Sequence, residues 1–376
     1  MVDFEQKDKY SVADLLRIME ILRAPDGCMW DRAQDHHSIR QNFIEETYEV
    51  CEAIDDEDTE HMKEELGDVL LQVVFHTQME KEKGVILEEI AMCEDTPEDL
   101  VYDLLAEAYF GEHPLARPIL GSHEQIASIS REALLAFKKK HYRPDNTVLA
   151  IAGQFDMAAF REMAERMLGG WHAEGETHIP APVEGTTPRV LTRKKDIEQV
   201  HICLAFPGVE QDDEDLYPIS VMNNLFGGGM SSRLFQRIRE EMGAAYSVYS
   251  FPSTYTNCGT FTVYAGTSPE TAQQVADELL RQIRLLRDGG VTQEEFDMAK
   301  EQLKVSYVLG LESSSARMSA IGRSKLLRGH AVDPQDVIRK IEAVTKEDVE
   351  RVAHRMFGRP FSASAVGRNI DGLKLL

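Results

Sequence analysis

Cysteine is scarce in this chain and follows no framework. Five cysteines in 376 residues, at positions 28, 51, 93, 203 and 258, form no Cys-x-x-Cys pair and no even set. A disulfide scaffold is excluded, and reduced thiols in a cytoplasmic setting are expected. No run of 18 apolar residues occurs, so no membrane-spanning helix is expected. The first ten residues lack the basic start and apolar stretch of a signal peptide. Positive charge is also short: 41 Lys and Arg stand against 65 Asp and Glu, a net of −24. Such a surface repels a phosphate backbone and argues against a nucleic-acid polymer as partner. A nucleotide is still acceptable where divalent cations bridge carboxylates and phosphates.

The acidity is uneven. Residues 1–87 hold 22 acidic and 9 basic side chains, and they read as helical throughout. Ser11 and Asp14 frame a capping box ahead of Leu15, Leu16, Ile18, Met19, Ile21 and Leu22. Pro25-Asp26-Gly27 stops that helix. A second is expected from about Ser38 to Ile54, and a third from Thr59 to about Lys83, separated by the acidic turn at 55–58. Beyond Gly84, helical periodicity covers 85–110 and 126–141. The apolar run Thr147–Ala152 reads as a buried strand, and a helix covers 157–168. A polar stretch rich in Pro and Gly, 169–188, reads as a linker. After it, strands are expected at 190–193, 200–206, 246–251, 260–265 and 362–366. Long helices are expected at 272–286, 292–309 and 336–356. Consecutive strands near 246 and 260 suggest a hairpin, so the sheet is at least partly antiparallel.

Two groups of carboxylates stand on the second and third helices. Glu46 and Glu49 lie about 60° apart on one helix face, with Glu45 alongside. Glu65 and Asp68 repeat the spacing on the next helix. Carboxylates that converge without Lys or Arg repel one another, and a divalent cation relieves this. All-oxygen donors favour Mg²⁺ or Mn²⁺ over Zn²⁺. An ordinary solvated acidic face is the competing explanation.

The run Leu15–Asp31, then Glu45-Glu46-x-x-Glu49 and Glu65-x-x-Asp68, resembles the MazG family of nucleoside triphosphate pyrophosphohydrolases over about residues 10–84. Met29 departs from the proline usual before Trp30-Asp31. The family's usual fourth helix would follow Gly84, where this chain turns to other sequence. The resemblance implies that Glu46, Glu49, Glu65 and Asp68 hold Mg²⁺, with Glu45 close by to orient water or take its proton. The implied reaction splits a nucleoside triphosphate into the monophosphate and pyrophosphate.

From Glu82 onward the chain is similar to another family, the insulinase-type (pitrilysin) zinc metallopeptidases. The segments 85–99, His113–Gly121, Tyr142–Asn146 and Gly227–Val248 carry this resemblance to about residue 370. It implies two α+β halves joined by the linker. That family binds zinc through His-x-x-Glu-His and a distant glutamate. Here Glu89 matches the distant glutamate and Glu82 a supporting carboxylate, but none of the twelve histidines lie four apart. Zinc and proteolysis are therefore not expected, and Glu82 and Glu89 read as a vestigial zinc site. Arg239 and Tyr246 match the pair that grips a substrate backbone, which makes a peptide a further expected partner.

The expected organisation is an all-α N-terminal segment (1–84) followed by α+β peptidase-like halves with mixed or antiparallel sheets. The halves are a truncated one at 85–168 and a complete one at 189–376. The expected function is Mg²⁺-dependent nucleoside triphosphate pyrophosphohydrolysis on a proteolytically silent body, acting as a homodimer or paired with a peptidase subunit. The alternatives are a non-catalytic peptide-binding subunit, or a joined reading frame with neither activity.

Overall fold

The computed structural model describes residues 10–23, 28, 30, 39–56, 58–76, 79–172, 182–183 and 187–375. The chain divides into two units, Met1–Glu89 and Ile90–Leu376.

The first unit is helical among the described residues. Ser11 and Asp14 exchange hydrogen bonds in both directions at the start of α1 (Val12–Arg23). The next helices are α2 (Arg40–Asp55) and α3 (Thr59–His76), which pack together across their short turn. Asp58 opens α3, its Oδ1 accepting from the backbone N–H groups of Glu60 and His61, both at 3.1 Å. Met19 and Ile39 form the buried centre, with Leu15, Leu16, Leu22 and Leu71 around them. The expected third helix is described to His76, and α4 (Met79–Asp95) is described beyond it; residues 77 and 78, inside the expected span, lie outside the described residues. The expected stop at 25–27 and start at Ser38 lie outside the described residues.

The apolar periodicity of 85–110 is interrupted. Thr96 separates α4 from α5 (Pro97–Phe110), because Pro97 at the first turn has no N–H to continue the α4 ladder. Next come α6 (His123–Ser128), α7 (Arg131–His141) and α8 (Met157–Leu168). Between α7 and α8, residues 147–152 belong to no helix and no sheet, contrary to the expected strand. The composition suits a strand, yet a strand exists only when neighbours take its N–H and C=O groups. No ladder reaches this segment among the described residues, and Leu149 is 57% exposed.

The remaining elements form an α+β layer. The strands are β1 (Val190–Lys194), β2 (Val200–Pro207), β3 (Ala245–Thr254), β4 (Gly259–Thr267) and β5 (Ser362–Gly367). Their order in the one mixed sheet is β1-β5-β2-β4-β3. Only β1 and β5 run parallel; β3 and β4 form the expected hairpin. The helices are α9 (Leu216–Phe226), α10 (Ala272–Arg287), α11 (Gln293–Gly310), α12 (Ser314–Arg328), α13 (Pro334–Ala343) and α14 (Lys346–Phe357). The single long helix expected over 336–356 is two, since Val344 and Thr345 leave helical geometry and Thr345 caps α14 in a box with Asp348.

Both faces of the sheet are covered, which is why β2 is buried almost throughout. One face carries the main core, with α9, α10 and α14 contributing Phe226, Leu279 and Phe357. On the other lies α5. Its Leu100, Val101, Leu104, Leu105 and Tyr109 pack on Cys203, Ala205, Tyr264 and Val366. Each such buried side chain contributes about 1.5–3 kcal/mol. Helix α5 precedes residues 169–188, yet it covers a sheet that follows them.

Candidate metal centre

The turn between α2 and α3 is short and its helices pack closely, so side chains one or two turns from it meet. One ligand oxygen each from Glu46, Glu49 and Glu65 lies within 4.8 Å of the others. Glu46 is half-buried, Glu49 exposed and Glu65 buried. Two carboxylates about 4 Å apart repel by about 1 kcal/mol in bulk water, and by more where water is partly excluded. Burial raises the pKa of Glu46 most. Asp68, Glu49, Glu65 and Glu45 raise it further in that order.

Asp68 and Glu45 thus lie in the field of Glu46 without joining the three-oxygen cluster. Glu45 is exposed, and its Oε1 accepts from Gln41 Nε2 at 3.0 Å. Glu65 has a neighbour that the motif reading passed over: His61 Nε2 lies 3.0 Å from Glu65 Oε1. The signal for it was available in the i,i+4 spacing on α3. The nearby Lys63 does not neutralise the cluster, as its Nζ bonds Glu60 Oε1 at 2.6 Å. An oxygen donor set with no Lys or Arg paired to it among the described residues suits a hard divalent cation.

The peptidase-like residues are arranged otherwise. Glu89 is exposed on α4, and the Glu82 side chain lies outside the described residues. Arg239 sits in a π-helical segment, Phe235–Glu241, with its guanidinium carbon 4.9 Å from the Phe235 ring centroid. Tyr246 is 63% exposed at an irregularity between Ala245 and Ser247 of β3. No hydrogen bond joins Arg239 to Tyr246 among the described residues.

Comparison with known proteins divides the chain similarly. Residues 34–94 match the MazG nucleotide pyrophosphohydrolase domain, and residues 128–303 match the peptidase M16 inactive domain. An uncharacterized zinc protease of Bacillus subtilis, YmxG, is 38% identical over 304 residues, covering 80% of this chain and 74% of that protein. The chain belongs to the peptidase M16 family. A Streptomyces coelicolor relative, also named an uncharacterized zinc protease, is 37% identical over 306 residues, covering 78% of this chain and 66% of its own. The fold agrees. The crystal structure of a peptidase M16 inactive domain from Pseudomonas fluorescens superposes with a TM-score of 0.72 at 22% identity, over 79% of this chain and 71% of that one. A Helicobacter pylori protease gives 0.71 at 20% identity, over 77% and 71%.

The match to an M16 domain described as inactive agrees with an M16 body that lacks His-x-x-Glu-His. Glu45, Glu46, Glu49, Glu65 and Asp68 fall inside the MazG match, and Arg239 and Tyr246 fall inside the M16 match.

Proposed function

We propose that the first unit is a Mg²⁺-dependent nucleoside triphosphate pyrophosphohydrolase carried on an M16 body without peptidase activity. The observation that carries this reading is the convergence of Glu46, Glu49 and Glu65 within 4.8 Å inside a MazG-matching segment. Glu46, Glu49 and Glu65 would hold the cation, with Asp68 completing the set. Mg²⁺ would neutralise triphosphate charge and lower the pKa of water. Glu45, exposed beside the cluster, orients the attacking water and accepts its proton. His61, 3.0 Å from Glu65, would hold that carboxylate in place. The products are a nucleoside monophosphate and pyrophosphate.

The test is product analysis. With Mg²⁺ and millimolar nucleoside triphosphate, pyrophosphate is released rather than single phosphate. Glu49→Gln and Glu65→Gln lower the rate by about a hundredfold or more. Glu60→Gln, whose carboxylate is engaged by Lys63, changes little. Absence of pyrophosphate from a folded sample, with Mg²⁺ or Mn²⁺, removes the reading.

A second reading rests on the exposure of Arg239 and Tyr246. It makes the M16 body a non-catalytic peptide-binding subunit, as a homodimer or paired with a peptidase. Weaker peptide binding by Arg239→Ala, with pyrophosphate release unchanged, supports it.

A further inference from the structure

The second unit contains a long internal repeat. Helix α5 ends at Gly111, which has φ +61°, and α12 ends at Gly329, with φ +77°. Each is followed by a short α-helix, α13 in the later copy and α6 in the earlier one after a 3-10 turn at Pro114–Ala116, and then by a helix with a hydroxyl cap. Ser130 Oγ accepts from Ala133 N at 3.1 Å for α7, and Thr345 Oγ1 from Asp348 N at 3.1 Å for α14. Arg143-Pro144 follows α7, and Arg359-Pro360 follows α14. The next segments read Val148-Leu-Ala-Ile-Ala-Gly153 and Ser362-Ala-Ser-Ala-Val-Gly367. Both end on a glycine in the same unusual backbone conformation, φ +145° at Gly153 and +154° at Gly367. Residues 147–152 therefore stand, in the order of elements, where β5 stands in the later copy.

The packing repeats too. Helix α5 crosses β5, with Ser364 Oγ donating to Val101 O at 2.7 Å and Ser362 Oγ to Ala108 O at 3.1 Å. Helix α12 meets 147–152 so closely that a methyl group on Gly322 would lie 3.1 Å from Ala150 Cβ. The difference lies along the edges. Strand β5 bonds β1 on one side and β2 on the other. Among the described residues, 148–152 bond no strand, and α12 buries no residue of its own.

We infer that residues 147–152 are an open sheet position that takes an antiparallel strand from another polypeptide. The later copy of the repeat specifies the occupant. Beside β5 lies β2, an apolar strand in antiparallel register from His201–Val366 to Ala205–Ser362. The partner is accordingly an extended, mostly apolar segment of β2-like pattern. Backbone bonds along 148–152 supply its affinity, and alternate side chains supply its selectivity. The companion helix contributes exposed Met318 and Ile321 and the cationic Arg317 and Arg323, without an acidic residue of its own. Acidic flanks on the incoming strand are therefore favoured.

The probe is a labelled peptide of residues 198–207 carrying Cys203→Ser, titrated into the full chain. Saturable binding is expected, with slowed amide exchange at 148–152. A scrambled peptide does not bind. Ala150→Pro, at the place of Ser364 in the later copy, removes an N–H on the side where β2 lies and weakens binding about tenfold or more. Val148→Thr, which keeps the backbone, serves if the proline variant is unfolded and leaves the exchange protection intact. The inference is overturned if no saturable binding occurs. Binding without exchange protection at 148–152, or equal binding by a folded Ala150→Pro variant, overturns it equally.

Discussion

Arg351 donates two hydrogen bonds to Asp215, at 2.7 and 3.0 Å, and thereby ties α14 to the start of α9. Asp215 is only 1% exposed and also meets Arg355 at 2.8 Å. Removing the carboxylate leaves two guanidiniums facing each other. Asp215→Ala therefore destabilises the M16 body by about 3 kcal/mol. That is the low end for a broken buried pair, because both arginines are half-exposed. Chemical denaturation of the wild type and variant measures it.

At the carboxylate cluster, stability and activity separate. Glu46→Gln removes one member of a mutually repelling set, so without metal the first unit melts no lower than wild type. With Mg²⁺ the order reverses, because only the wild type gains from the cation. Calorimetry with and without Mg²⁺ reads both effects. A Mg²⁺-independent difference contradicts the ligand role.

Acid acts on the two units in opposite directions. His201 is buried, and its Nδ1 lies 2.8 Å from Tyr264 Oη. Burial lowers its pKa, against a smaller upward pull from Glu98. The unfolded chain therefore binds this proton more readily. Stability of the M16 body is full above the ordinary histidine value of 6.5 and falls as pH drops through and below it. Glu278 and Glu295, both held at about 2 and below their ordinary 4.5, release their contribution only at lower pH. Glu46 runs the other way. Its raised pKa means the folded first unit takes the proton more readily than the unfolded chain, so protonation in acid adds to its stability. Melting curves between pH 7 and 5 should show a declining second transition that flattens in His201→Gln.

Added Zn²⁺ should not produce cleavage of an unstructured peptide, since Glu89 alone cannot replace two imidazoles. Chelator-sensitive cleavage lost in Glu89→Gln is the contrary result.

Much of this was readable from local pattern. The five strands after residue 189 announce themselves because β2, β4 and β5 are continuous apolar or small-residue runs bounded by breakers. Glu46 and Glu49 share a helix face by spacing alone, and Glu65 joins them because the intervening turn is short. Segment 147–152 was misread for a physical reason. Its composition matches β5, but strand formation is decided by neighbours far away in sequence, which no local window contains. The break at Val344 is different, since Thr345 and Asp348 spell a capping box that outranks unbroken helical periodicity. The role of α5 was hidden too, because nothing in its own stripe states which sheet it will cover.

That placement of α5 changes what counts as a separable piece of this chain. A cut anywhere between α8 and β1 would leave two fragments, one owning the sheet and the other the helix that seals it. Leu104→Ala, which costs about 2–5 kcal/mol by opening that seal, would loosen their grip. Otherwise the fragments should migrate as one particle until denatured. Residues 189–376 produced alone would carry a raw apolar face of Cys203, Ala205, Tyr264 and Val366 into water and would be expected to aggregate.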